Sequence, residues 1–180
     1  CWGSLGAREM NKKIAEFMKC EAEAAEPFQH LHATGSFGWR WMPQYVKDLG
    51  LNLDEHPAID MREYIFNMPD VMAAADLIIC RAGAATISEV CASALPCIMV
   101  PSPNVTNNHQ EKNAMVLQGR GAAVVVPEAE CSGKVLFDTA KEILDDTERT
   151  HAMRKAASSL AVVDAAQRIY DTALELIKSR

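Results

Sequence analysis

Short apolar runs and longer amphipathic stretches alternate along this chain, and their spacing predicts its secondary structure. Residues 77–80 (LIIC) and 97–100 (CIMV) carry no charged or amide side chain, which is typical of strands buried on both faces of a parallel sheet. Residues 7–25 instead repeat apolar side chains at a helical spacing, at Met10, Ile14, Phe17 and Met18. The two patterns alternate from one end of the chain to the other.

Read in full, the pattern predicts strands at residues 29–33, 58–60, 77–80, 97–100 and 122–126, and helices at 7–25, 39–49, 69–75, 85–94, 108–118, 133–160 (two helices) and 162–178. Such alternation indicates βαβ units, so we expect a doubly wound, Rossmann-like parallel sheet with helices on both faces. Ligands of these sheets bind beyond the carboxyl ends of the strands. The final helix carries an apolar stripe that we expect to pack back on the domain: Val162, Ala166, Ile169, Ala173 and Ile177.

Composition and charge narrow the class of protein. The 180 residues are 49% hydrophobic and 23% charged, close to an average soluble domain, and no apolar run approaches the roughly 18 residues of a membrane span. The formal net charge of −6 argues against a general attraction to nucleic acid or anionic lipid. The cysteines form no CxxC pair, and Cys80, Cys91 and Cys97 lie in apolar stretches. We therefore expect reduced core thiols and a cytoplasmic protein.

The first candidate site is the small-residue segment that opens the first helix, with Gly3, Ser4 and Gly6. Small residues let the backbone approach a ligand closely, and the N–H groups of a first helical turn favour a phosphate. An ordinary glycine turn leading into a helix is the alternative.

The second candidate is segment 81–89, where a buried strand runs through Arg81 and Gly83 into another helix. This is again the geometry of an anion-binding helix amino end. Thr86 and Glu89 are three residues apart, so their spacing favours a capping box in which Glu89 only closes the helix end. The functional alternative has Glu89 accepting hydrogen bonds from ribose hydroxyls.

The third candidate is the dense polar run at residues 104–114, which follows the strand at 97–100. Amide side chains donate and accept hydrogen bonds at once, which suits sugar hydroxyls, although they are also common in surface loops. His109 is the histidine best placed for acid–base work, and Gln110 lies beside it.

Several motifs of other mechanisms are absent from the sequence. It contains no GxxxxGK[ST] loop, no GxSxG turn and no HExxH helix. It also contains no Asp-x-Asp pair that could hold a metal-bound diphosphate. If a nucleotide diphosphate binds here, backbone amides and helix dipoles must neutralise its charge.

Taken together, the motifs resemble one family. GSLGA, HATG, ADLIICRAGAATISE, LPCIMVP and NNHQEKNA stand in the order found in MurG-type glycosyltransferases, which have the GT-B fold. These enzymes add N-acetylglucosamine to the undecaprenyl-linked muramyl-pentapeptide intermediate of peptidoglycan. The resemblance covers essentially residues 1–180 and corresponds to the C-terminal, donor-binding domain, with the N-terminal acceptor domain lying outside this chain.

The resemblance implies a role for each matching residue. Ser4 would contact the donor diphosphate, Ile65 would hold the uracil edge through its backbone, and Gln110 would bind sugar hydroxyls with His109 beside it. Arg81 matches a basic position of less settled role. The diphosphate and ribose would be wrapped by Ala84, Ala85, Thr86, Ile87, Ser88 and Glu89, with Glu89 on the ribose hydroxyls.

The resemblance also implies an inverting transferase of peptidoglycan biosynthesis, and thus of cell-wall growth, cell shape and division. UDP-N-acetylglucosamine would be the donor, with no metal and no further cofactor. The lipid-linked acceptor, the general base and the contact with the inner face of the bacterial membrane would belong to the N-terminal half, so this chain alone should be inactive. Two positions depart from the family pattern: Trp2 replaces a usual glycine, and Ala82 stands where serine is frequent.

Other readings remain open at the level of sequence. Within the same fold, the chain suits a glycolipid glycosyltransferase, a UDP-N-acetylglucosamine epimerase, or a eukaryotic stand-alone donor subunit that works with a separate membrane partner. A nicotinamide-dependent dehydrogenase predicts GxGxxG after the first strand, and GSLGAR does not match it. A pure binding module is the remaining alternative.

Overall fold

The computed structural model describes residues 7–24 and 28–178, as an α/β domain. Its strands are β1 (His30–Ala33), β2 (Ile59–Arg62), β3 (Ile78–Cys80), β4 (Cys97–Met99) and β5 (Ala123–Val125). Its helices are α1 (Arg8–Ala22), α2 (Ser36–Trp39), α3 (Met42–Asp48), α4 (Met68–Ala74), α5 (Ala84–Ala92), α6 (His109–Gly119), α7 (Gly133–Asp145), α8 (Thr147–Ser159) and α9 (Ala165–Lys178). Single 3-10 turns lie at Leu53–Glu55 and Thr106–Asn108.

All pairings between the described strands are parallel, which confirms the predicted fold class. β1 pairs with β2, so that His30 is opposite Ile59, and β4 lies between β3 and β5. Across that second group, Ile98 is opposite Ile79 on one side and Val124 on the other. Hydrogen bonds therefore define two sheets among the described residues, where the sequence predicts one.

Two apolar cores lie on opposite faces of the strands, and β4 contributes to both. Ile98 and Val100 pack in the core formed with α1, α3 and α7, whereas Cys97 and Met99 pack in the core formed with α4, α5 and α6. Successive side chains of a strand point to opposite faces, so an unbroken apolar run is required here. All four residues are fully buried.

The chain departs from the predicted elements most clearly at residues 36–41. The helix predicted at 39–49 corresponds to α3, which is shorter, whereas α2 was not predicted. The structure has α2 and α3, separated at Arg40 and Trp41. Pro43 lies in the first turn of α3, a position where a missing N–H costs nothing.

Helices α1 and α7 pack closely because Gly133 has no side chain. A Cβ at Gly133 would lie 2.3 Å from Cβ of Glu16 and 2.5 Å from the backbone nitrogen of Phe17. The N–H of Gly133 donates to Oε2 of Glu16 at 3.1 Å. Glycine therefore sets how near α7 can approach α1.

A series of buried hydrogen bonds connects α1 to the end of β1. His32, 2% exposed, lies 3.1 Å from Oδ1 of Asn11 through its Nε2, and Nδ2 of Asn11 donates to the carbonyl oxygen of Thr34 at 2.8 Å. Complete burial lowers the pKa of His32 well below its ordinary value, so the ring is neutral and donates its Nε2 proton to Asn11.

The final helix, α9, begins at Ala165, and none of its described residues is buried. Ile169 and Ile177, which we expected to pack back on the domain, are 71% and 70% exposed. Among the described residues, no helix is long and apolar enough to cross a membrane.

Candidate functional site

The carboxyl ends of β3, β4 and β5 meet at one edge, and Arg81 joins them. It follows β3 directly, and its guanidinium donates to the carbonyl oxygen of Val100 at the end of β4 at 3.1 Å. The same group lies 2.5 Å from Oε2 of Glu128, which follows β5. Both charged side chains are largely buried, with exposed fractions of 16% and 21%. Arg81 therefore fixes this edge of the sheet.

Helix α5 opens at this edge with backbone groups instead of a side-chain cap. Gly83 is the N-cap residue, and its carbonyl oxygen accepts the first helical hydrogen bond from the N–H of Ile87 at 3.0 Å. The N–H groups of Ala84, Ala85 and Thr86 precede that first bond, so they have no partner within the helix. Because Ala84 and Ala85 are small and exposed, a ligand can approach these N–H groups closely.

Glu89 lies in the second turn of α5, too far along the helix to cap it. The capping-box interpretation is therefore wrong, because it requires Thr86 to be the N-cap residue, and the helix begins before it. Glu89 is exposed, and its side chain makes no hydrogen bond or ion pair with the residues that the structure describes. The neighbouring hydroxyl of Ser88 donates back to the carbonyl oxygen of Ala84 at 3.1 Å.

The Glu89 carboxylate interacts electrostatically with the Cys80 thiol at the end of β3. Burial raises the pKa of the Cys80 thiol to about 11, and the nearby Glu89 carboxylate adds to this rise. Cys80 is therefore an inert core thiol at neutral pH, and Glu89 presents its negative charge beside the opening of α5.

The loop after β4 is held by the side chain of Gln110, at the start of α6. Its Oε1 accepts a hydrogen bond from the N–H of Ser102 at 2.9 Å, which leaves the amide NH₂ group for other partners. His109, beside it, is exposed, and its Nδ1 lies 3.0 Å from the carbonyl oxygen of Thr106. A proton on Nδ1 makes this contact a hydrogen bond and leaves Nε2 as an acceptor.

Two further contacts determine the shape of this edge. Asn113 of α6 donates from Nδ2 to the carbonyl oxygen of Ala82 at 3.3 Å, which connects α6 to the segment before α5. Asn107 and Asn108 both have φ of 54°, a left-handed conformation that asparagine tolerates better than most residues. The two predicted polar segments, 81–89 and 104–114, are thus neighbours.

Ile65 follows β2, at the carboxyl edge of the other sheet. Its side chain is buried at 6% exposure, whereas the flanking Tyr64 and Phe66 are exposed, with ring centroids 4.9 Å apart. A cavity of about 410 Å³ lies beside them, lined by Ser36, Glu63, Tyr64 and Phe66. Ile65 thus follows a strand of the β1–β2 sheet, whereas Glu89 and Gln110 follow strands of the β3–β4–β5 sheet.

Gly3, Ser4 and Gly6 lie outside the described residues. Glu128 and Ser102 are not predicted by the sequence reasoning, although each closely follows a strand, which is the signal that could have found them. Within residues 7–24 and 28–178, no cluster of His, Cys, Asp and Glu is arranged to hold a metal ion.

The fold is that of one half of a GT-B glycosyltransferase. A crystal structure of MurG from Acinetobacter baumannii superposes with a TM-score of 0.79 and 26% sequence identity, over 96% of this chain and 48% of that one. A putative UDP-N-acetylglucosamine 2-epimerase from Listeria monocytogenes has the same fold, with a TM-score of 0.67 at 16% identity, over 91% of this chain and 39% of that one.

The sequence assigns the chain to one family within this fold. The family described as glycosyltransferase family 28 C-terminal domain matches residues 2–169. The chain therefore belongs to that family.

Two curated relatives share the name UDP-N-acetylglucosamine–N-acetylmuramyl-(pentapeptide) pyrophosphoryl-undecaprenol N-acetylglucosamine transferase. The relative from Desulforamulus reducens is 39% identical over 88% of this chain and 42% of its own length. The one from Halalkalibacterium halodurans is 38% identical over 98% of this chain and 47% of its own length. The chain thus spans less than half the length of these relatives.

Proposed function

We propose that this chain is the donor-binding half of an inverting glycosyltransferase. The enzyme would move N-acetylglucosamine from UDP-N-acetylglucosamine to undecaprenyl-pyrophosphoryl-N-acetylmuramoyl-pentapeptide, a lipid intermediate of peptidoglycan. Family membership and the shared name of the curated relatives support this choice among the GT-B enzymes.

The observation that carries the proposal is the position of Glu89. It is an exposed carboxylate on α5, it caps no helix, and it lies beside a helix opening built from small residues. A carboxylate accepts hydrogen bonds from two adjacent hydroxyls at once, which matches the 2′ and 3′ hydroxyls of a ribose. The donor's ribose would bind Glu89, and its diphosphate would lie across the amino end of α5.

Backbone groups would neutralise the diphosphate without a metal. The N–H groups of Ala84, Ala85 and Thr86 and the dipole of α5 supply partial positive charge. Ser4 would add a contact from the segment before α1. Arg81 is engaged with Glu128 and Val100, so we assign it to holding this edge instead of to binding phosphate.

The remaining groups would recognise the two ends of the donor. The free NH₂ of Gln110 would donate to a hydroxyl of the N-acetylglucosamine, with His109 beside it. The backbone N–H and carbonyl of Ile65 would pair with the uracil edge, next to the exposed rings of Tyr64 and Phe66. Selectivity for uracil would then depend on main-chain hydrogen bonds, which point substitutions of side chains cannot easily remove.

In the complete enzyme, the acceptor hydroxyl would attack the anomeric carbon from the face opposite UDP, which inverts that centre. The negative charge that develops on the leaving diphosphate would be stabilised by the amides at the start of α5. A general base from the acceptor-binding half would take the hydroxyl proton. That half would also make the contact with the cytoplasmic face of the membrane.

Calorimetric titration with UDP in the presence of EDTA tests the proposal. We expect UDP to bind without added metal and more tightly than UMP, because UMP lacks the phosphate next to the sugar. CDP is the control for the base, and it should bind more weakly than UDP. Binding that requires Mg²⁺ or Mn²⁺, or equal affinity for UDP and CDP, would contradict the assignment.

A second measurement addresses the division of labour between the two halves. This chain alone should transfer no sugar to the lipid-linked acceptor, because positioning the two reactants supplies about 7–11 kcal/mol of the barrier reduction and needs both halves. Measurable transfer by this chain would refute that division while leaving donor binding intact.

A further inference from the structure

Exposed aromatic side chains are concentrated at one edge of the domain, beyond the carboxyl ends of β1 and β2. Four side chains there are between 39% and 90% exposed: Phe37, Trp39, Tyr64 and Phe66. The other described phenylalanines pack in or against the core instead: Phe17, Phe28 and Phe137. Large apolar groups that are exposed together mark a contact site, and we refer to the four exposed residues as the aromatic edge.

The two segments of the aromatic edge adjoin each other. The N–H of Gly35, after β1, donates to the carbonyl oxygen of Glu63, after β2, at 3.0 Å. Ser36 of α2 lines the cavity of about 410 Å³ together with Tyr64 and Phe66. The rings therefore belong to one surface, which is built on two neighbouring parallel strands.

Two arginines extend this surface, and each lies against an aromatic ring. The guanidinium of Arg40 lies 5.5 Å from the ring centroid of Phe37. That of Arg8 lies 5.2 Å from the ring centroid of Trp41. Both arginines are exposed, and neither forms an ion pair with residues 7–24 or 28–178. Five other arginines are paired with carboxylates of the chain: Arg62, Arg81, Arg149, Arg154 and Arg168.

The acidic side chains near this surface leave it with a positive local charge. The carboxylates of Glu9 and Asp60 lie 3.0 Å and 2.6 Å from basic partners of their own. Glu63, which lines the cavity, has no ion-pair partner in the described part of the chain. A single unpaired carboxylate is therefore opposed by two unpaired arginines.

We propose that the aromatic edge, with Arg8 and Arg40, docks on the surface of an anionic lipid bilayer. Aromatic rings favour the boundary between lipid headgroups and hydrocarbon, where their apolar faces leave water. The guanidinium groups beside them meet the negative headgroups, and each contributes about fivefold in affinity. The formal net charge of −6 opposes adsorption of the remaining surface, so this patch determines the orientation on the membrane.

Charge complementarity favours the bilayer over a second copy of the chain. A symmetric pair of copies would place Arg8 and Arg40 on both sides of the contact, whereas anionic lipid supplies the opposite charge. The contact is separate from the one proposed for the acceptor-binding half, and it does not depend on the identity of the donor.

Co-sedimentation with lipid vesicles tests the proposal. The chain is mixed with vesicles of phosphatidylglycerol and phosphatidylcholine in equal parts, or with vesicles of phosphatidylcholine alone. We expect the anionic vesicles to be bound about tenfold more tightly, because the two arginines outweigh the one carboxylate. That preference should weaken as the salt concentration is raised.

Charge substitutions locate the contact. Arg40→Gln should weaken binding to the anionic vesicles by about fivefold, and Glu63→Gln should strengthen it by a similar factor. Arg120→Gln is the matched control, because it removes the same charge from an exposed position at the far end of α6. It should leave binding unchanged.

Substitution of a ring tests the apolar part of the contact. Phe66→Ala should weaken binding to the anionic vesicles by about fivefold or more, because the ring no longer leaves water on docking. Tyr170→Ala is the matched control, since Tyr170 is a 60% exposed ring on α9. It should have no effect, and thermal melts of all variants should remain close to that of the original chain.

Binding to neither kind of vesicle, or equal binding to both, would overturn the proposal. Equal losses in Arg40→Gln and Arg120→Gln would overturn it too, because net charge would then be the cause. So would a dimer in size-exclusion chromatography that Phe66→Ala dissociates, because a second copy would then cover the rings. None of these outcomes affects the titration with UDP, so the proposed function is tested separately.

Discussion

Arg81 and Glu128 form an ion pair 2.5 Å long that spans the carboxyl ends of three strands. Arg81 follows β3, Glu128 follows β5, and the guanidinium also bonds to Val100 at the end of β4. The ion pair thus connects the three strands at the edge where α5 and the loop before α6 begin.

Arg81→Met should lower the free energy of unfolding by about 2 kcal/mol or more, because it leaves the carboxylate of Glu128 largely buried without its partner. The double variant Arg81→Met with Glu128→Met should be less destabilised than Arg81→Met alone, since no uncompensated charge remains. Urea unfolding of the two single variants and the double variant forms the mutant cycle. Strict additivity of their effects would mean that the pair contributes no coupling.

Glu89→Gln should reduce UDP affinity by about tenfold or more and leave the melting temperature almost unchanged. The amide has one acceptor oxygen instead of two and carries no charge, and hydrogen bonds to a charged group contribute about 1.5–3 kcal/mol. Stability is expected to hold because Glu89 caps no helix. Calorimetry with UDP and thermal melts of both proteins are the measurements.

Glu142→Gln is the matched control, because it removes the same charge from an exposed position towards the far end of α7. It should leave UDP affinity unchanged. Equal losses of affinity in the two variants would indicate a general effect of net charge, and the ribose assignment would be wrong.

His32 makes stability dependent on pH in a defined direction. Its pKa in the folded chain lies well below 6.5, so on acidification the unfolded chain takes up a proton that the folded chain does not. The contribution of His32 to the free energy of unfolding is therefore fully present above about pH 6.5. Below that pH it decreases by at most about 1.4 kcal/mol per pH unit.

His32→Gln isolates that contribution, since glutamine can still donate to Asn11 but does not titrate. The advantage of the original chain over this variant should shrink as the pH falls from 7.5 to 5.5, measured by urea unfolding at each pH. The neighbouring His30 and Glu21, which lie 2.8 Å apart, are present in both proteins and cancel in the comparison. A difference that stays constant over this range would contradict the buried, neutral histidine.

Gly133→Ala should destabilise the chain by about 1–3 kcal/mol, because the added methyl group would overlap backbone atoms of Phe17 and force α7 away from α1. Gly119→Ala is the control, at the end of α6, where nothing lies within 4 Å of the added carbon. That change should be neutral or stabilising by up to about 1 kcal/mol. Equal effects at the two positions would show that helix propensity, and not the contact with α1, determines the change in the free energy of unfolding.

The sequence predicts the strands well because burial on both faces leaves a plain signal. Residues 77–80 and 97–100 read as unbroken apolar runs, and the structure has β3 and β4 there. Helix α2 was harder to predict, since it has only four residues and one of them is Gly38, a poor helix former. The division of the strands into two hydrogen-bonded sheets could not be predicted, because it depends on which strands become neighbours.

The candidate site shows a similar division. Segments 81–89 and 104–114 each follow a strand of the sheet. That position predicts that they lie together, and the structure shows them as neighbours. The capping box fails because Ala84 and Ala85 are strong helix formers, so α5 begins before Thr86 and a matching T-x-x-E pattern becomes irrelevant. The pairing of Arg81 with Glu128 could not be predicted either, since charges far apart in sequence meet only once the sheet is formed.

The buried thiols give this chain its own chemical reporters of local opening. Cys80 and Cys97 lie in the core beneath α5, whereas Cys131 lies in the core between α1 and α7. Burial raises the pKa of Cys80 and of Cys131 to about 11, so neither thiol reacts readily while its core is closed. Alkylation rates at these cysteines therefore measure, without any introduced label, how often each side of the sheet separates from its helices.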